Sequence, residues 1–327
     1  MKFVQAQQLN SVADYAMIEG AAPEPGEGQV RIKVVCCGMG YVDALVALGK
    51  YQVKPPVPFT PGQEIAGVVD AVGAGVSSLK VGDRVMASTF GGGLSEFAVA
   101  PQQAVVAIPD AMSFAQAAGF HVNYITALHG LKDRAALRAG ERLLVFGAAG
   151  GVGAAAVQVG KLLGAEVIAA ASTPEKRDFA IAHGASVAID TAPEGWRDRL
   201  KAVCGGKGPD VIFDPVTGPL FEAAFRSLVW NGRHLVVGFA GGPIPSLPIN
   251  LTLMKGAALV GVDVRQFQMF EAARGQEHLR ELLGWVAEGR LAPAVGRRFA
   301  FADFGDAMTF AISGQGMGKT VIDVAPS

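Results

Sequence analysis

The sequence predicts an α/β protein in which a doubly wound parallel sheet is joined to a β-rich domain of barrel or sandwich type. Three observations carry that expectation. The N-terminal third reads mostly as short strands broken by frequent Gly and Pro turns. Residues 141–177, ERLLVFGAAGGVGAAAVQVGKLLGAEVIAAASTPEKR, read as strand, glycine turn, helix and strand. Beyond them strand and helix signals keep alternating, the pattern of a parallel sheet.

In the first part, residues 30–36 alternate partly and follow the turn-rich 23–28. Residues 65–72 carry a second strand signal, ended by Gly73 and Gly75, and short strands are expected at 84–87 and 96–99 around the glycines at 91–93. Residues 142–146, bounded by Gly140 and Gly147, have the length of a buried strand. An Ala/Val/Leu-rich helix closed by Gly164 follows the glycine turn, and a strand at 166–171 completes the unit. Further strands are expected at 187–189, 211–213, 234–237 and 258–264, with helices at 174–183, 195–204 and around 219–230. A helix near 277–288 then leads to the tail GKTVIDV, read as a closing strand.

The turn Ala148-Ala149-Gly150-Gly151-Val152-Gly153 has the spacing A-x-G-x-x-G. A helix N-terminus offers unpaired N–H groups and a positive dipole end, and glycines let the backbone approach a pyrophosphate. Within a complete βαβ unit the pattern predicts dinucleotide binding, with Ala149, Gly150, Gly151 and Val152 at the phosphates. A site for NADH places Asp or Glu about twenty residues after the glycines. Here Ala171 and Ser172 stand there, followed by Lys176 and Arg177, so NADPH is the expected cofactor. Ser172 and Glu175 also make a capping box, with Ser172 as the expected N-cap.

Composition excludes several classes. Half of the 327 residues are hydrophobic and 17% are charged, below the globular norm of about 25%. No run of about twenty strongly apolar residues exists, so no membrane partner is expected. The net charge of −1 leaves no footprint for nucleic acid, and the N-terminus lacks a signal-peptide pattern, which predicts a cytoplasmic protein. Cys36, Cys37 and Cys204 are too few for a disulfide framework.

The segment PGQEIAGVVDAVGAGVSSLKVGDRV, residues 61–85, resembles the signature of the medium-chain dehydrogenase/reductase superfamily, in its quinone oxidoreductase group. GMGYVDALVALGKY, NYITALHGL, GAAGGVG, FDPVTG and VVGFAGG extend the likeness over nearly the whole chain. The resemblance implies a GroES-like β-barrel catalytic domain from 1–121 and 268–327 around a Rossmann nucleotide-binding domain at 122–267. It also implies a homodimer, with the strand at 258–264 pairing across subunits.

Zinc relatives in that superfamily use Cys, His and Cys. Those positions fall here on Gly40, Gln63 and Val122, so no metal is expected at the family site, and Glu64 has lost its neighbours. The five histidines show no metal spacing. Without a Lewis acid, the reaction implied is hydride transfer from NADPH to a quinone or conjugated enone, which needs little help from an acid. The alternatives are a double-bond reductase acting on enoyl-CoA or alkenals, and a low-turnover NADPH-binding sensor or structural protein.

Site residues follow from the same resemblance. Tyr41 is the leading candidate to contact substrate, either as hydrogen-bond donor or by packing, and Asp43 reads as a backbone organiser. Thr126, Phe239, Ala240, Val262 and Asp263 are expected around the cofactor, and Lys319 is a candidate near its phosphates. His121 reads as packing. Three departures stand out: Gly40 where the family has asparagine, Leu48 where arginine is common, and Thr191 where tyrosine is often found.

Overall fold

In the computed structural model, which describes residues 1–325, the chain opens with an antiparallel pair, β1 (Lys2–Ala6) and β2 (Tyr15–Glu19). Strand β3 (Gln29–Met39) is longer than its sequence signal and is followed at once by helix α1 (Tyr41–Ala47). Next come β4 (Glu64–Val72), β5 (Arg84–Ser88), β6 (Phe97–Pro101) and β7 (Val105–Ala107). Along β3 the residues Val30, Ile32 and Val34 are fully buried while Lys33 points outward, the period of two expected of a sheet with one face in the core. Each such side chain contributes about 1.5–3 kcal/mol of burial. Two short helices, α2 (Phe114–Ala117) and α3 (His121–Leu128), end this part of the chain.

The second unit, Asn123–Leu282, opens within α3 and continues into a π-helical turn, His129–Arg134. It then alternates β8 (Arg142–Phe146), α4 (Gly151–Leu162), β9 (Glu166–Ala170), α5 (Pro174–Ala182), β10 (Val187–Ile189) and α6 (Trp196–Val203). β11 (Val211–Asp214), α7 (Phe221–Ser227), β12 (Arg233–Val236), α8 (Asn250–Lys255) and β13 (Ala258–Gly261) follow. Helices α9 (Val264–Phe270) and α10 (Ala272–Ala287) lead out of it. The six strands are all parallel, in the order β10-β9-β8-β11-β12-β13. That is the Rossmann order, in which successive strands are added outward on opposite sides of the β8–β11 pair. Leu143, Leu144 and Val145 of β8 and Val211, Ile212 and Phe213 of β11 are fully buried, as a sheet covered on both faces requires.

The chain then returns to the first unit, which comprises Met1–Val122 and the residues from Leu283 onward. It adds β14 (Val295–Ala300), α11 (Phe304–Ile312) and β15 (Lys319–Asp323). The main sheet runs β14-β15-β3-β4-β5-β7, with β6 also on β3. It is GroES-like, and its hydrogen-bonded path among the described residues branches without closing into a ring. The chain passes back to the first unit within α10, at Leu283, and the part of α10 before it is tied to the second unit, where Lys132 Nζ lies 2.6 Å from Glu281. No helix of the described residues is long and apolar enough to cross a membrane.

Several local expectations are corrected. The N-cap of α5 is Thr173, whose Oγ1 accepts the Lys176 N–H at 3.3 Å, and Ser172 lies one residue outside it. The reason is Pro174, whose fixed φ suits the first helical position and so makes the preceding residue the cap. The strand expected at 258–264 stops at Gly261, because Asp263 caps α9 by accepting from the Arg265 and Gln266 N–H groups at 3.0 and 3.1 Å. The helix expected around 219–230 is confined to Phe221–Ser227.

Candidate functional site

The glycine turn links β8 to α4 at the C-terminal edge of the parallel sheet. Gly150 is the N-cap of α4 and the first intrahelical bond runs from the Ala154 N–H to the Gly150 carbonyl at 2.8 Å. The amides of Gly151, Val152 and Gly153 therefore precede any intrahelical acceptor and form the positive end of the helix. Gly153 is the sterically strict member: a Cβ there would overlap the carbonyl oxygen of Gly147. A Cβ on Gly151 would meet the Asn123 amide at 2.9 Å, so α3 packs against the same turn. Thr126 lies one helical step along α3 from Asn123 and is buried, as is the Tyr124 hydroxyl, which donates to Gln158 at 2.6 Å.

At the end of β9, Ala171 is buried, Ser172 exposed, and Lys176 and Arg177 half-buried in the first turn of α5. Arg177 donates to the Ala171 carbonyl at 3.1 Å, which lays its guanidinium along the strand end. No carboxylate occupies the strand end itself. The strand, the glycine turn and these cations fit a dinucleotide that carries a 2′-phosphate.

Asp214, at the end of β11, organises the neighbouring turns. It is buried and accepts the Val216 and Thr217 N–H groups at 3.0 and 2.7 Å, and His234 Nε2 lies 3.1 Å from its other oxygen. Thr217 Oγ1 in turn donates to the Gly238 carbonyl at 2.6 Å, fixing the segment that carries Phe239 and Ala240. Phe239 is exposed, at 45%, beyond the C-terminal end of β12, and Ala240 is exposed beside it. Val262 is buried, and the carboxylate of Asp263 is engaged as the α9 cap. Its role in the fold is therefore that of a cap, and only its backbone is left for a cofactor wall.

In the first unit, Tyr41 is the first residue of α1 and is 38% exposed. Asp43 is buried and accepts the Gly40 N–H at 2.7 Å and the Gln63 N–H at 3.3 Å. It is the backbone organiser the sequence suggested. Burial pushes the Asp43 carboxyl up, opposed by the Lys319 charge. Glu64 is not isolated as expected: Oε1 accepts the Val122 N–H at 2.9 Å, and Oε2 lies 2.5 Å from Lys319 Nζ. Lys319 is 6% exposed and also lies 3.6 Å from Asp43 Oδ2. Burial pulls its ammonium down, but Glu64 and Asp43 outweigh this and hold it above the usual lysine range. The ammonium is committed to two carboxylates inside the first unit. Burial lowers the His121 pKa, opposed by Glu64.

None of the side chains at Gly40, Gln63 and Val122 is a zinc ligand of the family type. Metal-type ligands do converge elsewhere, hidden by a long sequence separation: His129 and His278 both face Asp133 Oδ2, at 2.9 and 2.5 Å. Arg274 holds the other oxygen at 3.0 Å, and the His129 ring stacks on Phe267 with centroids 3.8 Å apart. Burial alone would raise the Asp133 carboxyl, but hydrogen bonds from His278, His129 and Arg274 bring it down to about 2. A depressed folded-state pKa contributes stability above the unfolded value of about 3.9, lost as pH falls through the folded one. Asp133→Asn is therefore expected to melt below wild type at pH 7. The difference should close between about pH 4 and about pH 2, which thermal melts across that range would test.

The alcohol dehydrogenase GroES-like domain family matches residues 26–110, and the zinc-binding dehydrogenase family matches residues 151–279. A quinone oxidoreductase-like protein 2 homolog of Nematostella vectensis is 38% identical over 91% of this chain and 82% of its own length. The quinone oxidoreductase of Thermus thermophilus, solved with and without NADPH, is 32% identical, covers 99% of this chain and 100% of its own, and superposes with a TM-score of 0.84. The Escherichia coli quinone oxidoreductase complexed with NADPH gives a TM-score of 0.89 at 25% identity, over 99% of this chain and 100% of its own. The chain belongs to the medium-chain dehydrogenase/reductase superfamily, in its zinc-independent quinone oxidoreductase group. It is an oxidoreductase by family, built on the GroES-like and Rossmann units described above.

The Asp43–Lys319–Glu64 network and the Asp214 turn were absent from the sequence reading. Lys319 and Glu64 are 255 positions apart, and nothing local marks them as partners. Asp214 carried a signal in FDPVTG, where Asp before Pro suits a turn whose side chain caps its own backbone.

Proposed function

We propose that the protein is a zinc-independent, NADPH-dependent reductase of quinones or related conjugated carbonyl compounds. The observation that carries this is the end of β9: no carboxylate, an exposed Ser172, and two cations beside it, on a glycine turn built for phosphates. The names of the relatives, and the NADPH complexes of the two solved neighbours, support the same reading.

Gly150, Gly151 and Val152 would hold the pyrophosphate, and Ser172, Lys176 and Arg177 the 2′-phosphate. Thr126, the backbone of Phe239 and Ala240, and Val262 would position the nicotinamide. When bound, the cofactor supplies a hydride. The Tyr41 hydroxyl donates a hydrogen bond to the substrate oxygen as negative charge grows on it, and water supplies the proton. A quinone or enone suits a site whose family zinc positions are Gly40, Gln63 and Val122, because its carbonyl accepts hydride without a Lewis acid.

A homodimer belongs to the same proposal. β13 is an edge strand, and Trp230, Ile249, Leu253 and Met254 expose apolar surface on the same unit, with Ile249 85% and Leu253 83% exposed. A second copy pairing at that edge would cover it. The three buried free cysteines agree with a reducing, cytoplasmic setting.

The deciding experiment is oxidation of NADPH beside NADH by the purified protein, with small quinones and alkenals, with and without chelator. Chelator-resistant quinone turnover that prefers NADPH is the expected result. Lys176→Ala should raise the NADPH KM about tenfold and leave that for NADH unchanged, since a charged contact to the 2′-phosphate contributes about 1.5 kcal/mol or more. Turnover of alkenals alone would make the protein a double-bond reductase, a reading that the structural likeness to the CurK enoyl reductase keeps in view. Binding of NADPH without turnover would make it a sensor.

A further inference from the structure

Three backbone amides of the first unit, from three different elements, end on two buried carboxylates. The Gly40 N–H, at the start of α1, and the Gln63 N–H, just before β4, both donate to Asp43. The Val122 N–H, in α3, donates to Glu64. By the family resemblance these are the positions matched to zinc ligands, and here their main chain is gathered by the two acceptors. One cation, Lys319 from β15, lies between the two acceptors.

The lysine reaches them through a sleeve of glycines. A Cβ on Gly119 would lie 2.7 Å from Lys319 Cβ and Cγ, one on Gly38 would lie 2.9 Å from Cε, and one on Gly40 would lie 3.0 Å from Nζ. Gly40 adopts an extended φ of −103° that any residue can take, so space and not backbone conformation accounts for the glycine. The departure from asparagine at this position thereby acquires a reason: a side chain would crowd Nζ and, at 3.1 Å, Asp43 Oδ2.

We propose that Lys319 is a positioning residue of the reductase site: its ammonium ties Asp43 to Glu64, and through them fixes the backbone at Gly40, Gln63 and Val122. The proposal rests on the reductase reading above. A buried ion pair is a poor source of net stability, because desolvation offsets its Coulomb energy, but it does hold geometry. The geometry held here is the turn that opens α1, where Gly40 directly precedes Tyr41. An apolar residue at position 319 would fill the sleeve yet leave two buried carboxylates facing each other. One of them would have to take up a proton or move, and the amides it holds would loosen. The titratable groups interacting with Lys319 are Glu64, Asp43 and Cys37, and His121 interacts with Glu64.

The test compares wild type with Lys319→Met and Lys319→Met/Glu64→Gln by amide hydrogen exchange, by steady-state kinetics across pH, and by thermal melts. The expected result for Lys319→Met is faster exchange at Gly40, Gln63 and Val122, with β8 unchanged. Its kcat should fall roughly tenfold or more, with the NADPH KM within about twofold of wild type. Its kcat should also decline toward alkaline pH, where the surviving carboxylates lose their proton. The double variant, which relieves the repulsion between the two carboxylates by leaving Asp43 as the single buried one and keeps an acceptor for Val122, should recover much of the kcat and flatten the profile. A lowered melting temperature with unchanged exchange at the three amides and an unchanged pH profile would overturn the proposal. Should Lys319→Met fail to fold, Lys319→Arg and Glu64→Gln are read the same way, by exchange at the same amides. If wild type turns over no acceptor, the reductase reading fails, and exchange alone decides whether Lys319 positions this turn.

Discussion

Gly153→Ala is expected to weaken NADPH binding by roughly a hundredfold, about 2.7 kcal/mol, and to lower the melting temperature. The added methyl would overlap the Gly147 carbonyl oxygen and lie 3.0 Å from the Ala148 Cα. Those are backbone atoms of the same turn and have no rotamer to give, so α4 itself must move off the strand end. Moving it swings the Gly151 and Val152 amides away from the pyrophosphate. Gly150→Ala is the control for fold: its Cβ would meet the Gly147 oxygen only at an ordinary 3.4 Å, so its melting temperature should stay near wild type. NADPH titration by fluorescence, beside thermal melts of both variants, checks the pair. Wild-type affinity in Gly153→Ala would show that the turn does not hold the phosphates.

Asp214→Ala is expected to cost about 3–5 kcal/mol, a fall in melting temperature on the order of 10 °C. The substitution strands the partly buried Val216 amide, the buried Thr217 amide and the buried His234 ring, whose Nδ1 already has no partner. It also frees Thr217, a residue at φ +48° that is held there by the Asp214 turn and bonds the Gly238 carbonyl. The Phe239–Ala240 segment loses its anchor with it. Asp214→Asn keeps an acceptor for the amides and should cost distinctly less. Equal stability of the alanine and asparagine variants would show that the hydrogen bonds to the turn are not what Asp214 supplies.

Much of the fold is written locally. The run at Arg142–Phe146 between two glycines, the turn after it and the strand ending near Ala170 are signals in which chemistry and spacing coincide over a few dozen residues. The unpaired helix N-terminus and the lack of a carboxylate after β9 need only that local unit. The absence of zinc ligands at Gly40, Gln63 and Val122 was likewise legible, since a missing side chain needs no tertiary context. Smaller errors came from neighbours competing for one job: Ser172 and Thr173 are both good caps, and Pro174 decides between them. The strand expected at 258–264 ends at Gly261: Val262 and Val264 suit a strand as well as a helix start, and the Asp263 side chain settles it.

What the sequence determined by itself is a parallel nucleotide-binding unit with a glycine turn at the head of its first helix, and a first domain with Gly40, Gln63 and Val122 where zinc relatives place their ligands. Only the tertiary structure decided where the charges go. Lys319 reads as a lone cation at the start of a strand, yet it is buried against Glu64 and Asp43; His278 reads as one polar residue in a helix, yet it closes on Asp133. Burial and partnership of a charge depend on what other chain lies within a few ångströms. Desolvation and Coulomb energy are set by that neighbourhood rather than by the residues adjacent in sequence.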